Sequence, residues 1–190
     1  MIKRVYVELS AGASLPSYAS ADSAGLDVYL TEDLILRPGE KKIVPTGLKL
    51  AIPEGTELQL RPRSGLSVKT RLKITNSPGT IDADYRDEIG IIVENAFHSA
   101  DLIDEIWRRP ELRAEIERDY QAVPVKLPGG RTVEIYVDAE GLPYGTIKLK
   151  RGERICQLVL QTYLRAELTV LDSVANLGSD RGGGFGSTGR

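Results

Sequence analysis

The residues with the most evident chemistry lie in one stretch, Asn76-Ser77-Pro78-Gly79-Thr80-Ile81-Asp82-Ala83-Asp84-Tyr85-Arg86-Asp87-Glu88. It opens with turn formers, then alternates, with Ile81, Ala83 and Tyr85 set against Asp82, Asp84 and Arg86. Ile89-Gly90-Ile91-Ile92-Val93 continues as a buried-strand type of run. The pattern predicts a β-hairpin whose tip carries the Asn76 amide and exposed backbone, and whose return strand carries a carboxylate and an aromatic ring. Such a tip can offer a planar heterocycle donors and acceptors while the ring packs on an attached sugar. Solvated acidic residues on the polar face of a strand are the competing reading of this stretch alone.

Four further clusters carry polar groups at turns. In Ser23-Ala24-Gly25-Leu26-Asp27, small residues allow close approach, and Asp27 either orients a water or hydrated metal ion or closes an Asx turn. Arg61-Pro62-Arg63-Ser64-Gly65-Leu66 sets a guanidinium, a hydroxyl and backbone N–H groups at a possible helix start. That suits an anion, or a capped turn with surface arginines. Arg151-Gly152-Glu153-Arg154-Ile155-Cys156-Gln157-Leu158 is a tight turn entering a strand, with Gln157 placed to donate to a phosphate or simply to finish a hairpin. The end of the chain strings Arg181, Phe185, Gly186, Ser187 and Thr188 on glycines. A ring beside hydroxyls and a guanidinium can stack on a base while holding phosphates, and a disordered tail is the plainer alternative. His98, the one histidine, sits away from these clusters, and Cys156, the one cysteine, lies in an apolar context that suits core more than nucleophile. One His and one Cys give no zinc site of the usual kind.

The elements that must position these groups divide in two. Up to about residue 96, short runs rich in β-branched residues alternate with Gly/Pro punctuation, as in Leu34-Ile35-Leu36 and the run from Lys42 to Ile52. Turns at that interval predict an all-β barrel or sandwich. A helical turn fits Gly65–Lys69. Residues 97–146 change character. Ser99 is the expected N-cap of a helix through Trp107, with acidic residues early and Arg108-Arg109 late. Pro110 interrupts it, and Glu111–Tyr120 reads as a second amphipathic helix. Ala122–Leu127, a Pro-Gly-Gly turn and Thr132–Val137 then predict a β-hairpin. From Gly145 the strand texture returns, through Leu158-Val159-Leu160 and Leu168-Thr169-Val170-Leu171. Residues 178–190 are too rich in glycine to hold themselves rigid and are expected to be ordered by a ligand.

At 190 residues the chain is one domain on the usual expectation, with ample length for a core. A net charge of −2 argues against a general nucleic-acid binder, so any phosphate site must be local. A lone cysteine points to a reducing compartment, no apolar run approaches the ~18–20 residues of a membrane span, and the N-terminus lacks a signal-peptide core. A cytoplasmic protein is expected.

Taken together and in order, the five clusters resemble those of the trimeric deoxyuridine triphosphate nucleotidohydrolases, the dUTPases. The matching stretches are Ala24–Asp27, Pro62–Leu66, Gly79–Arg86, Gly152–Gln157 and Arg181–Gly189. The resemblance covers residues 1–96 and 145–190 and leaves 97–146 as an insert of two short helices and a hairpin. It implies a distorted jelly-roll or β-barrel-like subunit in a homotrimer with shared active sites, residues 178–190 closing as a lid. It also implies hydrolysis of dUTP to dUMP and pyrophosphate by water attack on the α-phosphate. That reaction limits uracil in DNA and supplies dUMP for dTTP synthesis. Mg²⁺ would ride on the triphosphate without a direct protein ligand, with Asp27 nearby. By position, Asp82 would bind the 3′-hydroxyl and orient or deprotonate the water. Tyr85 would pack on the sugar, and Asn76 with the backbone of Gly79, Thr80 and Ile81 would read uracil. Arg63, Ser64, Gly65 and Gln157 would hold phosphates. Phe185 would stack on the base, with Arg181, Gly186, Ser187 and Thr188 about the triphosphate.

Asp87 departs from the family's usual Gly, which puts the local bend in question. The insert reads either as a surface elaboration or, through its amphipathic helices and Trp107, as a platform for a protein partner with a regulatory role. Two rivals stand: a dCTP deaminase of the same superfold, and a nucleotide-gated regulatory protein whose hydrolysis is incidental.

Overall fold

In the computed structural model, residues 2–175 and 177–179 are described. The first half of the chain runs β1 (Tyr6–Leu9), β2 (Ser17–Tyr18), β3 (Leu26–Tyr29), β4 (Leu34–Leu36), β5 (Lys41–Pro45), β6 (Leu48–Ala51) and β7 (Thr56–Pro62). A short helix α1 (Ser64–Lys69) leads to β8 (Leu72–Ile74), β9 (Gly79–Ile81) and β10 (Gly90–Asn95). Two helices, α2 (Ser99–Arg108) and α3 (Leu112–Asp119), precede the strands β11 (Gln121–Lys126) and β12 (Thr132–Val137). β13 (Ile147–Leu149) and β14 (Arg154–Thr162) close the barrel.

The largest sheet has the order β2-β3-β14-β7-β9, all neighbours antiparallel. A three-stranded sheet β5-β10-β8 and the pairs β1-β6 and β13-β4 complete the wall. Period-two burial drives this arrangement. In β7, Thr56, Leu58 and Leu60 are buried while Glu57 and Gln59 face outward. Val28, Leu36, Leu48, Leu58, Ile91, Val93, Ile155 and Leu158, drawn from six strands, meet in one core. The expected all-β, jelly-roll-like architecture is what these sheets form.

Four local expectations are corrected. The Asn76–Val93 stretch is not a hairpin, because β9 pairs with β7 while β8 and β10 pair with each other. Only Gly79–Ile81 is strand there; beyond it the backbone turns, with the Tyr85 N–H donating to the Asp82 carbonyl. Asp82, Ala83 and Asp84 alternate like a strand, but aspartates favour local turns over a ladder, and the turn wins. The run from Lys42 to Ile52 is two strands, split at Gly47 with φ +67°. A Cβ there would lie 2.6 Å from that of Ala13, so both the backbone angle and the space require glycine. Leu168–Leu171 is not a strand: β14 ends at Thr162, and Leu164, Leu168 and Val170 are almost fully exposed, with no strand alongside them among the described residues. Last, α2 is capped by His98 and not Ser99, the His98 N–H donating to the Asp101 carboxylate at 2.7 Å. The acidic side chain three residues in thus satisfies the N–H of the cap residue, the reciprocal half of a capping box.

Residues 97–146 contain α2, α3 and the β11–β12 hairpin. Their buried side chains Phe97, Leu112, Ile116 and Leu142 stand outside the barrel core. Ile103 and Trp107, one turn apart on α2, are exposed. Both ends of the segment are gripped by one fully buried amide. Asn95 Nδ2 donates to the Leu36 and Gly145 carbonyls at 3.0 and 2.8 Å, and its Oδ1 accepts the Phe97 N–H at 3.0 Å. Gly145 itself has φ +84°, and a Cβ there would strike the Phe97 ring at 2.5 Å. Asn95→Leu keeps the volume but orphans these backbone groups. It is expected to cost about 3 kcal/mol, a fall in Tm of roughly 6–12 °C for a chain of this size. Thermal unfolding checks it, and an unchanged Tm would show that the segment is anchored elsewhere.

Candidate active site

Asp27 is the centre of the first cluster. It lies in β3 opposite Gln157 of β14 and is 2% exposed. Its Oδ1 accepts from Arg63 Nε and from Gln157 Nε2, both at 3.0 Å, and its Oδ2 accepts from Arg154 Nη1 at 3.1 Å. Residues 154 and 157, three apart, would face opposite sides of a regular strand. A β-bulge between Arg154 and Cys156 shifts the register by one, so both side chains reach the same carboxylate. Gly25 keeps the space clear, since a Cβ there would press on Gln157 at 3.1 Å.

Burial acts to raise the Asp27 pKa. The Gln157 hydrogen bond, the Arg63 charge and the bonds from Arg154 and Arg63 outweigh it, leaving the carboxyl below its ordinary 3.8. Two guanidiniums share one carboxylate, so the cluster keeps a surplus positive charge that suits phosphate. Arg63 caps α1 in an extended conformation, and Ser64 and Gly65 stand exposed beside it. Cys156 is fully buried and its thiol is pushed up to about 12, mainly by that burial, so it belongs to the core as expected.

The second cluster is a pocket lined by Leu60, Asn76, Gly79, Thr80, Ile81, Asp82, Tyr85, Ile89 and Gly90. Asn76, Gly79, Thr80, Ile81, Asp82 and Tyr85, which the sequence assigned to the nucleoside, all line it; Phe185, assigned to the base, lies outside the described residues. Among the described residues β9 is an edge strand bonded only to β7, so its outer edge offers N–H and C=O groups. Gly79 is buried with the Asn76 amide lying against it; a Cβ would sit 3.1 Å from Asn76 Nδ2. Tyr85 is held by its hydroxyl, which donates to the Glu88 carbonyl at 3.0 Å, while Glu88 Oε1 accepts the Gly47 N–H at 2.7 Å. Asp82 sits exposed at the rim. Asp87 occupies a bend before β10, where the sequence placed its departure from glycine.

Within one chain the two clusters lie at different levels of β7. Ile81, beside Asp82, pairs with Leu58, five residues from Arg63 along β7. At ~3.3 Å per residue the two ends stand roughly 16 Å apart. Arg181, Phe185, Gly186, Ser187 and Thr188 lie outside the described residues. Sequence reasoning missed Arg154 as a partner of Asp27, because strict alternation sets it on the wrong face. The apolar pair Ile155-Cys156 was the one sign of a bulge. Glu88 was missed as well, its part being backbone and turn geometry.

The dUTPase family model matches residues 11–102. A deoxyuridine 5'-triphosphate nucleotidohydrolase from Anaeromyxobacter sp. (strain Fw109-5) is 37% identical over 176 residues, 93% of this chain and 88% of that one. Among solved structures, the dUTPase of Staphylococcus bacteriophage 80alpha with dUpNHpp superposes with a TM-score of 0.71 at 27% identity, covering 98% and 99% of the two chains. A dUTPase variant from phage phi11 of S. aureus, described with a structural Mg(II) ion, has a TM-score of 0.66 at 26% identity, covering 91% and 99%. The motif resemblance stopped at residue 96 and resumed at 145, whereas matches of this extent run into the segment between. With the motif residues so placed and a relative this similar along most of both lengths, the chain belongs to the family of deoxyuridine 5'-triphosphate nucleotidohydrolases, the dUTPases.

Proposed function

We propose that this dUTPase seats deoxyuridine in the pocket beside β9 and the triphosphate on the Asp27 cluster of a neighbouring subunit. Asp82 then directs water onto the α-phosphate, and the products are dUMP and pyrophosphate. The observation that carries the reading is the single pocket gathering Asn76, Gly79, Thr80, Ile81, Asp82 and Tyr85. Asn76 and the free edge of β9 supply hydrogen-bond partners for uracil. The tethered ring of Tyr85 lies where a sugar would pack and leaves no room for a 2′-hydroxyl. Asp82, exposed to water at the rim, serves as the base.

Phosphoryl transfer asks the protein mainly for positioning and charge neutralisation. Arg63, Ser64, Gly65 and Gln157 supply these, with Arg154 added by the bulge. Arg181, Phe185, Gly186, Ser187 and Thr188 close over the bound nucleotide. The roughly 16 Å along β7 from the level of Ile81 to Arg63 supports a homotrimer with sites built between subunits. Any protein partner of residues 97–146 would meet Ile103 and Trp107.

Mg²⁺ fits as an ion carried by the triphosphate and its waters. Both Asp27 oxygens are engaged by Arg63, Arg154 and Gln157, which suits a carboxylate that holds no ion directly. When bound, the ion neutralises phosphate charge; Asp27 keeps its neighbouring arginines aligned.

The test is pyrophosphate release with Mg²⁺ from dUTP, dCTP, dTTP and UTP, on protein whose mass in solution is measured in parallel. Release from dUTP alone by a species of three chains is expected. Ammonia from dCTP, or equal release from UTP, would overturn the assignment of the pocket.

A further inference from the structure

The helix that carries Ser64 and Gly65 is held from its ends. α1 has six residues, none of them fully buried, and meets the barrel core only through half-buried Leu66. At its start, Arg63 is tied to Asp27. At its end, the Thr70 N–H and hydroxyl both donate to the Leu66 carbonyl, at 2.9 and 2.8 Å, and the Leu72 N–H donates to Thr70 Oγ1 at 3.2 Å. The next residue, Arg71, leaves the barrel altogether. Its Nη1 lies 3.3 Å from Asp101 Oδ2 and its Nη2 lies 2.7 Å from Glu105 Oε1, two carboxylates one turn apart on α2. Its guanidinium carbon stands 5.3 Å from the centre of the Phe97 ring, and its carbonyl accepts the Ala96 N–H at 3.0 Å. Glu105 is braced in turn, its Oε2 accepting the Tyr144 hydroxyl at 3.3 Å. Tyr144 packs edge-on against Phe97 and Tyr120 at 5.6 and 5.2 Å between ring centres.

A single exposed ion pair would matter little. Here one planar fork answers two carboxylates and lies over a ring, a geometry that a lysine ammonium cannot reproduce. The same residue lies in the two-residue connection from α1 to β8. Residues 97–146 therefore anchor the far end of the phosphate helix.

We propose that Arg71 is a positioning residue for the triphosphate. By clamping α1 to α2, it lets the 97–146 segment set the placement of Arg63, Ser64 and Gly65. The inference rests on the reading that these three residues hold phosphates. It also gives the segment a part in substrate binding although none of its residues lines the nucleoside pocket.

The experiment compares Kd for dUpNHpp and for dUMP, with KM and kcat for dUTP, in four proteins: wild type, Arg71→Met, Arg71→Lys and the double variant Asp101→Asn/Glu105→Gln. Arg71→Met should weaken dUpNHpp and raise KM roughly tenfold, as displaced coupling contacts do, with dUMP affinity and kcat little changed. Arg71→Lys should recover only part of the loss. The double variant, which leaves Arg71 itself in place, should reproduce it. A merely structural role would shift Tm without separating the triphosphate from the monophosphate. Equal losses for both nucleotides, or none for either, would overturn the proposal. Ser64→Ala is the companion control. If it leaves dUpNHpp affinity intact, the phosphate reading itself has failed, and the inference goes with it. If it weakens dUpNHpp while Arg71→Met does not, the phosphate reading stands and the inference alone is wrong.

Discussion

Replacing Asp82 by Asn is expected to lower kcat by roughly 10²–10⁴ while leaving the affinity for dUMP and dUpNHpp almost unchanged, the range spanned by a positioned general base. Asp82 sits just past β9 on the rim of the nucleoside pocket, exposed, with its carbonyl accepting the Tyr85 N–H that closes the turn. Asparagine preserves that carbonyl, the side-chain shape and one acceptor oxygen, so the turn and the ligand contacts persist. An exposed substitution of this kind moves stability by no more than about 0.5 kcal/mol. What it removes is the capacity to take a proton. Asp27 cannot substitute: both of its oxygens are engaged by Arg63, Arg154 and Gln157, and its carboxyl lies below the usual range, which makes it a weak base. Steady-state kinetics and nucleotide titration on the one variant decide the matter. Turnover near that of the wild type would place the base elsewhere.

The sequence spoke most clearly where one residue type has few uses. The alternation of β7 and the apolar doublets of β14 report burial, and burial is what forms strands here. The pocket beside β9 was largely legible because, Leu60 of β7 apart, its lining comes from the one stretch between Asn76 and Gly90, so little tertiary contact was needed to foresee it. The Asp27 cluster was only half legible. Asp27, Arg63 and Gln157 stood at recognisable turns, but their convergence depends on pairing across 36 and 130 residues of chain and on a bulge that alternation cannot show. Which strand pairs with which was equally hidden. β8 and β9 are adjacent in sequence and look like a hairpin, yet β9 joins the sheet of β7 and β8 that of β10. A short strand takes the partner that completes the core, and the core is built from residues far apart in the chain. The exposed apolar run after Thr162 made the same point in reverse: β-branched texture without a partner strand is not a strand.

Asp27→Asn is expected to act on binding and on stability together, and to do so in a pH-dependent way. The native carboxylate accepts three hydrogen bonds. An amide has one oxygen, so its NH₂ must face at least one of Arg63 Nε, Arg154 Nη1 or Gln157 Nε2, donor against donor. Breaking a buried ion pair costs about 3–5 kcal/mol. Arg63 and Arg154 keep 23% and 47% side-chain exposure and can turn to water, so about 2–3 kcal/mol is the expected loss at pH 7. For a chain of this length that is a fall in Tm of roughly 5–10 °C. Because the folded carboxyl titrates below 3.8, its contribution is present in full above the unfolded value and is lost as pH falls through the folded one. The gap in Tm between wild type and variant should therefore be widest near neutrality and narrow progressively below about pH 4. A gap that stays constant from neutral pH down to pH 3 would mean that shape, and not charge, holds the cluster. In kinetics, the loosened arginines should raise KM for dUTP roughly tenfold, since misplacing a positioning group costs on that order or more, with kcat far less affected. Asp82 and Asp27 lie in one chain and are proposed to serve one reaction, so only such opposed signatures separate them: one lowers kcat at constant Tm, and the other moves KM and Tm with a gap that acid erases.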